Sequence, residues 1–276
     1  MRQSGNPAFR NLPSGVAAGG PYTGFGDTQA GMPQYRPGTA TGAGDRPMTV
    51  DDVVMKAGAS IGVALITGIL AAVWGHSQIE EGSSAGPLFG VMIVSLLVGF
   101  GLSLYIALKQ KASAALTLTY SAIEGVFLGI VTAVLESTLP ASANGLGLQA
   151  VMGTALVFVI MLVVYRTGAI KVTPRLTKWV IGAAAGAMGL MLINLLLGMF
   201  GFTTGLRGTG TLGIIVGLVF IGIAAFMLLL DFDMADNMIR SGMPSKWAWY
   251  AAFGLMATLV WLYFEILRLL WAFQSE

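Results

Sequence analysis

Residues 211–231 read TLGIIVGLVFIGIAAFMLLLD, twenty uncharged positions closed by an aspartate. At 1.5 Å per residue a helix of that length spans about 30 Å, the thickness of the hydrocarbon in a bilayer. No soluble core needs such a run. The rest of the chain agrees: 55% of its residues are hydrophobic and 10% charged, against about 25% charged in soluble domains. Further apolar runs occupy roughly 57–75, 88–108, 113–135, 148–166, 179–202 and 249–272, making seven spans. They lack the alternation of a barrel strand, and only helices or closed barrels satisfy backbone groups in lipid. The expected fold is an all-α membrane protein, a seven-transmembrane-helix bundle. Small residues in series, as in Gly182–Gly189, are expected to let helices pack closely.

The chain before the first span has another character. The first 50 residues hold six of the ten prolines and only scattered apolar residues, too few to offset chain entropy by burial. Residues 1–48 are expected to be a disordered Gly/Pro-rich cytoplasmic tail, and 49–276 the membrane domain. Thr49 and Asp52, three positions apart, form a capping-box signal at the boundary.

Orientation follows from lysine and arginine. Arg46 and Lys56 flank the start of the first span; Lys109 and Lys111 lie in the second connection; Arg166, Lys171, Arg175 and Lys178 in the fourth; Arg240 and Lys246 in the sixth. The odd-numbered connections carry only His76 and Arg207. The positive-inside rule puts the N-terminus in the cytoplasm. An Ala/Gly/Pro-rich composition points to a bacterium of high genomic GC and hence to the plasma membrane.

Several chemistries are excluded. The chain has no cysteine and one histidine, so it lacks thiolate metal sites, the His-x-x-x-His pair of a zinc hydrolase and the histidine base of a serine protease. The last span has no internal lysine for a retinal Schiff base. No glycine-rich loop ends in Gly-Lys-Ser/Thr. No enzyme activity, cofactor or nucleic-acid partner is expected; the lipid bilayer is the partner, with room for a second membrane protein.

What remains is acids in or near hydrocarbon. Glu124 lies deep in the third span and Glu265 well inside the seventh; Asp231, Asp233 and Asp236 cluster at the end of the sixth. An unpaired ionised acid at the bilayer centre costs about 2.5–3.5 kcal/mol on insertion scales, so such residues usually face the bundle interior or water. Glu265 has Arg268 one turn on as a ready partner, and Asp233 and Asp236 stand where surface hydration is within reach. Asp231 lies nearest the hydrocarbon.

Ile123-Glu-Gly-Val-Phe-Leu-Gly129, the acid after the sixth apolar run, and Leu262-Tyr-Phe-Glu265 together resemble the signatures of the Bax inhibitor-1 family, also called YccA-like or transmembrane Bax-inhibitor-motif proteins. The resemblance covers roughly residues 50–274 and leaves the tail outside. It implies a pH-sensitive calcium leak in which two pore acids share a proton. By position these are Asp231 and Glu265, with Glu124 along the same path and Lys109 or Lys111 as the basic partner. The implied cation sites are transient, at Asp231 and Glu265. Departures are Leu230 for the family's tyrosine, Glu265 for its aspartate, and 34 positions between the two acids.

Two acids held close in a low dielectric cannot both ionise cheaply, so loss of the shared proton would open a charged path. Their helices bring them level only if the hairpin turn is centred near Ala248. Gly242 and Pro244 set it earlier, which leaves an offset of about 10–15 Å. The alternative reading is a non-transporting regulator that binds a membrane protease or another membrane complex. A di-acid intramembrane protease fits poorly, since the last span lacks Gly-x-Gly-Asp.

Deleting residues 1–45 should leave folding intact, since nothing there suits a membrane bundle. A thermal melt of the truncated protein in detergent should match that of the full chain.

Overall fold

The computed structural model describes residues 46–82, 86–140, 145–201, 205–206 and 208–275. The segment 1–45, to which most of the expected tail belongs, lies outside them. Seven helices follow in chain order: α1 Val50–Glu80, α2 Gly86–Lys109, α3 Ala114–Ser137, α4 Leu146–Thr167, α5 Pro174–Met199, α6 Thr211–Arg240 and α7 Ala248–Gln274, the last preceded by a single 3-10 turn at Ser245–Trp247. All seven are long and apolar enough to cross a membrane. The protein is a multi-pass membrane protein, and no strand occurs among the described residues.

The helices outrun the apolar stretches that reveal them. Backbone bonding continues into the interface until a cap or a breaker ends it. At α1 the start is Thr49, whose hydroxyl accepts the Asp52 N–H while the Asp52 carboxylate accepts the Thr49 N–H, a complete capping box. At its other end α1 continues to Glu80, so His76 lies on a helix and not in a connection. Helix α6 runs nine residues beyond Asp231 and stops only at Ser241–Gly242, where glycine takes φ +68°. Asp231 therefore stands inside a helix, not at its end.

Helix α7 forms the axis. Ala251, Ala252, Leu255, Leu259, Leu262, Ile266 and Leu267 are all buried, and α1, α3, α4 and α6 pack around it. The hydroxyl of Thr117 donates to the Trp249 carbonyl near one end of α3, and the Thr132 and Tyr263 hydroxyls meet at 2.9 Å nearer the other, so α3 and α7 run parallel in fixed register. Helix α6 returns antiparallel along α7. Large apolar side chains such as Leu97, Leu156 and Ile193 point outward from α2, α4 and α5, a surface suited to lipid.

The closest helix contact lies between α1 and α3. A Cβ built on Gly125 would run into the Thr67 hydroxyl and the Ala64 carbonyl; one on Gly129 would run into the Gly68 carbonyl and come within 3.0 Å of the Ala71 Cβ. Only glycine lets these backbones meet. The expectation for Gly182–Gly189 is corrected: Gly182, Gly186 and Gly189 have no heavy atom of a neighbouring segment within 4 Å of a built Cβ. The alanines of the same stretch do pack: Ala184 and Ala187 are buried together with Val180, and α5 packs against α6, so the small residues serve as expected on one face while the glycines lie on the other. Composition marks a helix as able to pack closely, but not the face that does so.

Gly125→Ala should destabilise the protein by about 1–3 kcal/mol through overpacking, whereas Gly186→Ala should be near neutral. Thermal unfolding of the two variants in detergent checks the contrast.

Candidate functional site

Asp231 faces α7. It is 9% exposed, and the Thr258 hydroxyl donates to its Oδ2 at 2.5 Å. One turn earlier on α7, Gly254 leaves the space beside Oδ1, where an added Cβ would sit 3.5 Å away. The carboxylate thus occupies a slot between a glycine and a hydroxyl four residues apart on one helix face.

The other two acids of the cluster have different surroundings, because successive positions on a helix turn by about 100°. Asp233 is half-buried and accepts a bond from the Asn237 amide at 2.9 Å. Asp236 pairs with Arg240 at 2.8 Å and accepts from the Tyr165 hydroxyl at 3.3 Å. Both belong to the basic end of the bundle, where α4 and α6 terminate.

Glu265 is 0% exposed and lies 3.2 Å from Nε of Arg268, which is itself buried. Arg268 also donates from Nη2 to the Gly213 carbonyl, at the first turn of α6, over 3.4 Å. Gly217 makes room for that guanidinium. The two acids implied as a pair are therefore staggered along α7. Asp231 meets that helix at Thr258, and the seven residues from there to Glu265 rise about 10 Å. The turn at Gly242 sets this offset.

Glu124 on α3 is half-buried with its carboxylate against α2: a Cβ on Gly99 would come within 2.8 Å of its Oε1. The α3–α7 register puts Glu124 at the level of Leu255 and Met256, the same layer as the Asp231 slot. Lys109 and Lys111 are exposed at the end of α2, and no ion pair joins either to these acids among the described residues.

One pair escaped the sequence reading. His76 Nε2 lies 2.8 Å from Glu136 Oε2, and the other carboxylate oxygen of Glu136 accepts the Gly147 N–H at the first turn of α4, at 2.9 Å. This group ties α1, α3 and α4 at the end opposite the basic one. His76 and Glu136 each fall one residue beyond an apolar run, so hydropathy trims both away. Nothing in the sequence sets Thr258 apart from any other hydroxyl on an apolar helix.

The profile of the family described as Bax inhibitor 1 like matches residues 6–275. The chain belongs to that family. The match begins at residue 6, within the segment that the sequence reading had left outside the resemblance. A comparison with curated proteins returned no significant match. In this Bax inhibitor 1 like chain, then, the central helix carries two polar stations at different depths, Asp231–Thr258 and Glu265–Arg268, with Glu124 beside the first.

A buried charge pair costs more to break than to replace. Arg268→Met alone should lower stability by about 3 kcal/mol, while the double change Glu265→Leu, Arg268→Met should recover most of that loss. Thermal denaturation of the single and double variants in the same detergent provides the measurement.

Proposed function

We propose that this Bax inhibitor 1 like protein is a passive, pH-sensitive cation leak, with calcium as the permeant ion, in which Asp231 and Glu265 are successive stations on one path. The observation that carries the reading is the buried Asp231 carboxylate, whose one donor among the described residues is the Thr258 hydroxyl. An ionised acid at this depth needs compensation. Thr258 supplies one donor, and a passing cation would supply the rest. Carboxylate oxygens suit hard cations such as calcium better than soft metals.

A proton and a cation compete for the same carboxylate, so flux should fall as pH falls. The stagger between the stations lays the proposed path along α7: about 10 Å separates Asp231 from Glu265, whose charge Arg268 partly offsets. Asp233 and Asp236 line the basic end, which the positive-inside rule assigns to the cytoplasm of a bacterial cell. Neither acid cluster calls for enzyme chemistry or a resident cofactor.

A second reading has its own support. The open face of Gly182, Gly186 and Gly189 on α5 suits a neighbouring helix, as a non-transporting regulator that grips a membrane protease or another membrane complex would require.

Calcium flux into liposomes from about pH 5 to 8 tests the leak. Asp231→Asn and Glu265→Gln should each reduce flux at least tenfold and flatten its pH dependence, with non-additive effects because both act on one path. Asp236→Asn should change little. A normal profile in both of the first two variants would refute the leak and leave the regulator.

A further inference from the structure

The residues just ahead of α1 are tied to the α6–α7 connection by reciprocal backbone bonds. The Met48 N–H donates to the Met243 carbonyl at 2.8 Å, and the Ser245 N–H to the Arg46 carbonyl at 2.8 Å. Pro47 and Pro244 face each other between them as an antiparallel pair. Neither proline has an N–H to donate, so this pairing cannot extend into a sheet. It is a contact of two bonds, small enough to make and break.

Side chains reinforce it. Met48 is 2% exposed and belongs to the buried cluster that holds Phe232, Ala235, Ala248 and Ala251. The Asp52 carboxylate grips Arg46 through both terminal guanidinium nitrogens, at 2.8 and 2.6 Å. Lys56 donates to the Ser245 carbonyl at 2.6 Å and lies 5.6 Å from the centre of the Trp249 ring. Both backbone polar groups of Ser245 are thereby engaged from the N-terminal side.

The position of this contact gives it a consequence. The connection it pins joins the two helices that carry Asp231 and Thr258. Phe232, Ala235, Ala248 and Ala251 form the apolar layer between that pair and the basic end, and Met48 completes the layer. An ion that reached Asp231 along α7 from the basic end would pass these residues. The expectation that residues 46–48 close a disordered tail is corrected: they are seated on the α6–α7 hairpin, which carries the buried acid.

We propose that residues 46–48 form a releasable strap that holds the α6–α7 hairpin closed over Asp231 and so controls access to this carboxylate. The effect of the strap on flux rests on the reading of Asp231 as an ion station; its hold on the hairpin rests on the contacts of residues 46–48 alone. Withdrawing Met48 from the cluster would break both backbone bonds and free Met243 and Ser245 together.

The chain has no cysteine, so a crosslink at Pro47→Cys, Pro244→Cys can be read without background, and facing residues of an antiparallel pair lie within disulfide reach. In calcium-flux liposomes the reduced form should match the wild type and the oxidised form should conduct at least tenfold less, with recovery on adding reductant. Hydrogen exchange over residues 228–258 should be at least fivefold slower in the oxidised form. Met48→Ser, which leaves the backbone bonds in place, should raise flux at least threefold. If the wild type carries calcium and the oxidised protein carries it as fast, the strap is overturned and the leak stands. If the wild type carries none while exchange still differs between the two forms, the leak fails and the strap stands. Equal exchange in a wild type without flux removes both. Should the crosslinked protein fail to fold, unchanged flux in Met48→Ser overturns the strap.

Discussion

The close approach of α1 and α3 at Gly68, Gly125 and Gly129 is the contact on which the bundle depends. In lipid no hydrophobic force drives helices together, because lipid tails are as apolar as leucine; association rests on van der Waals packing and on hydrogen bonds. Backbone-to-backbone contact yields the most packing per residue, and only glycine permits it. With α1 and α3 locked at this distance, Thr117 and Thr132 on α3 fix the register of α7 through Trp249 and Tyr263. The depth of Thr258, Glu265 and Arg268 in the membrane follows from that register.

This explains where polar groups are tolerated. Within the spans, Asp231 sits beside Gly254 and Thr258, half-buried Glu124 beside Gly99, and Glu265 against Arg268, whose guanidinium lies over Gly217. Glycine supplies room for a carboxylate without a gap in the packing. Apolar side chains at those three glycine positions would displace the polar groups, which is costly in a close-packed interior.

The span count was legible because hydropathy reports transfer into lipid, which needs no knowledge of neighbours. The Thr49–Asp52 cap was legible for a similar reason: both partners lie within one turn. Glu265 with Arg268, three residues apart, is local too. What failed to show required two helices at once. Glycine content pointed to α5, whereas the face in use lies on α1 and α3. His76 and Glu136 are sixty residues apart and sit just beyond their apolar runs. Thr258 acquires its role only from Asp231 across the hairpin, and Met48 only from a connection nearly two hundred residues away. The stagger of the two acids could be reckoned in advance because Gly242 marks the turn.

Helix α7 is the axis of the bundle and yet comes after the other six in chain order. During synthesis, α1 to α6 enter the membrane before the helix that fills their centre exists. Until it arrives, the Asp231 carboxylate lacks the slot that Gly254 and Thr258 will provide. The core is therefore completed only after the six helices around it have been made, and a ribosome stalled within α7 would leave those six helices around an unfilled interior.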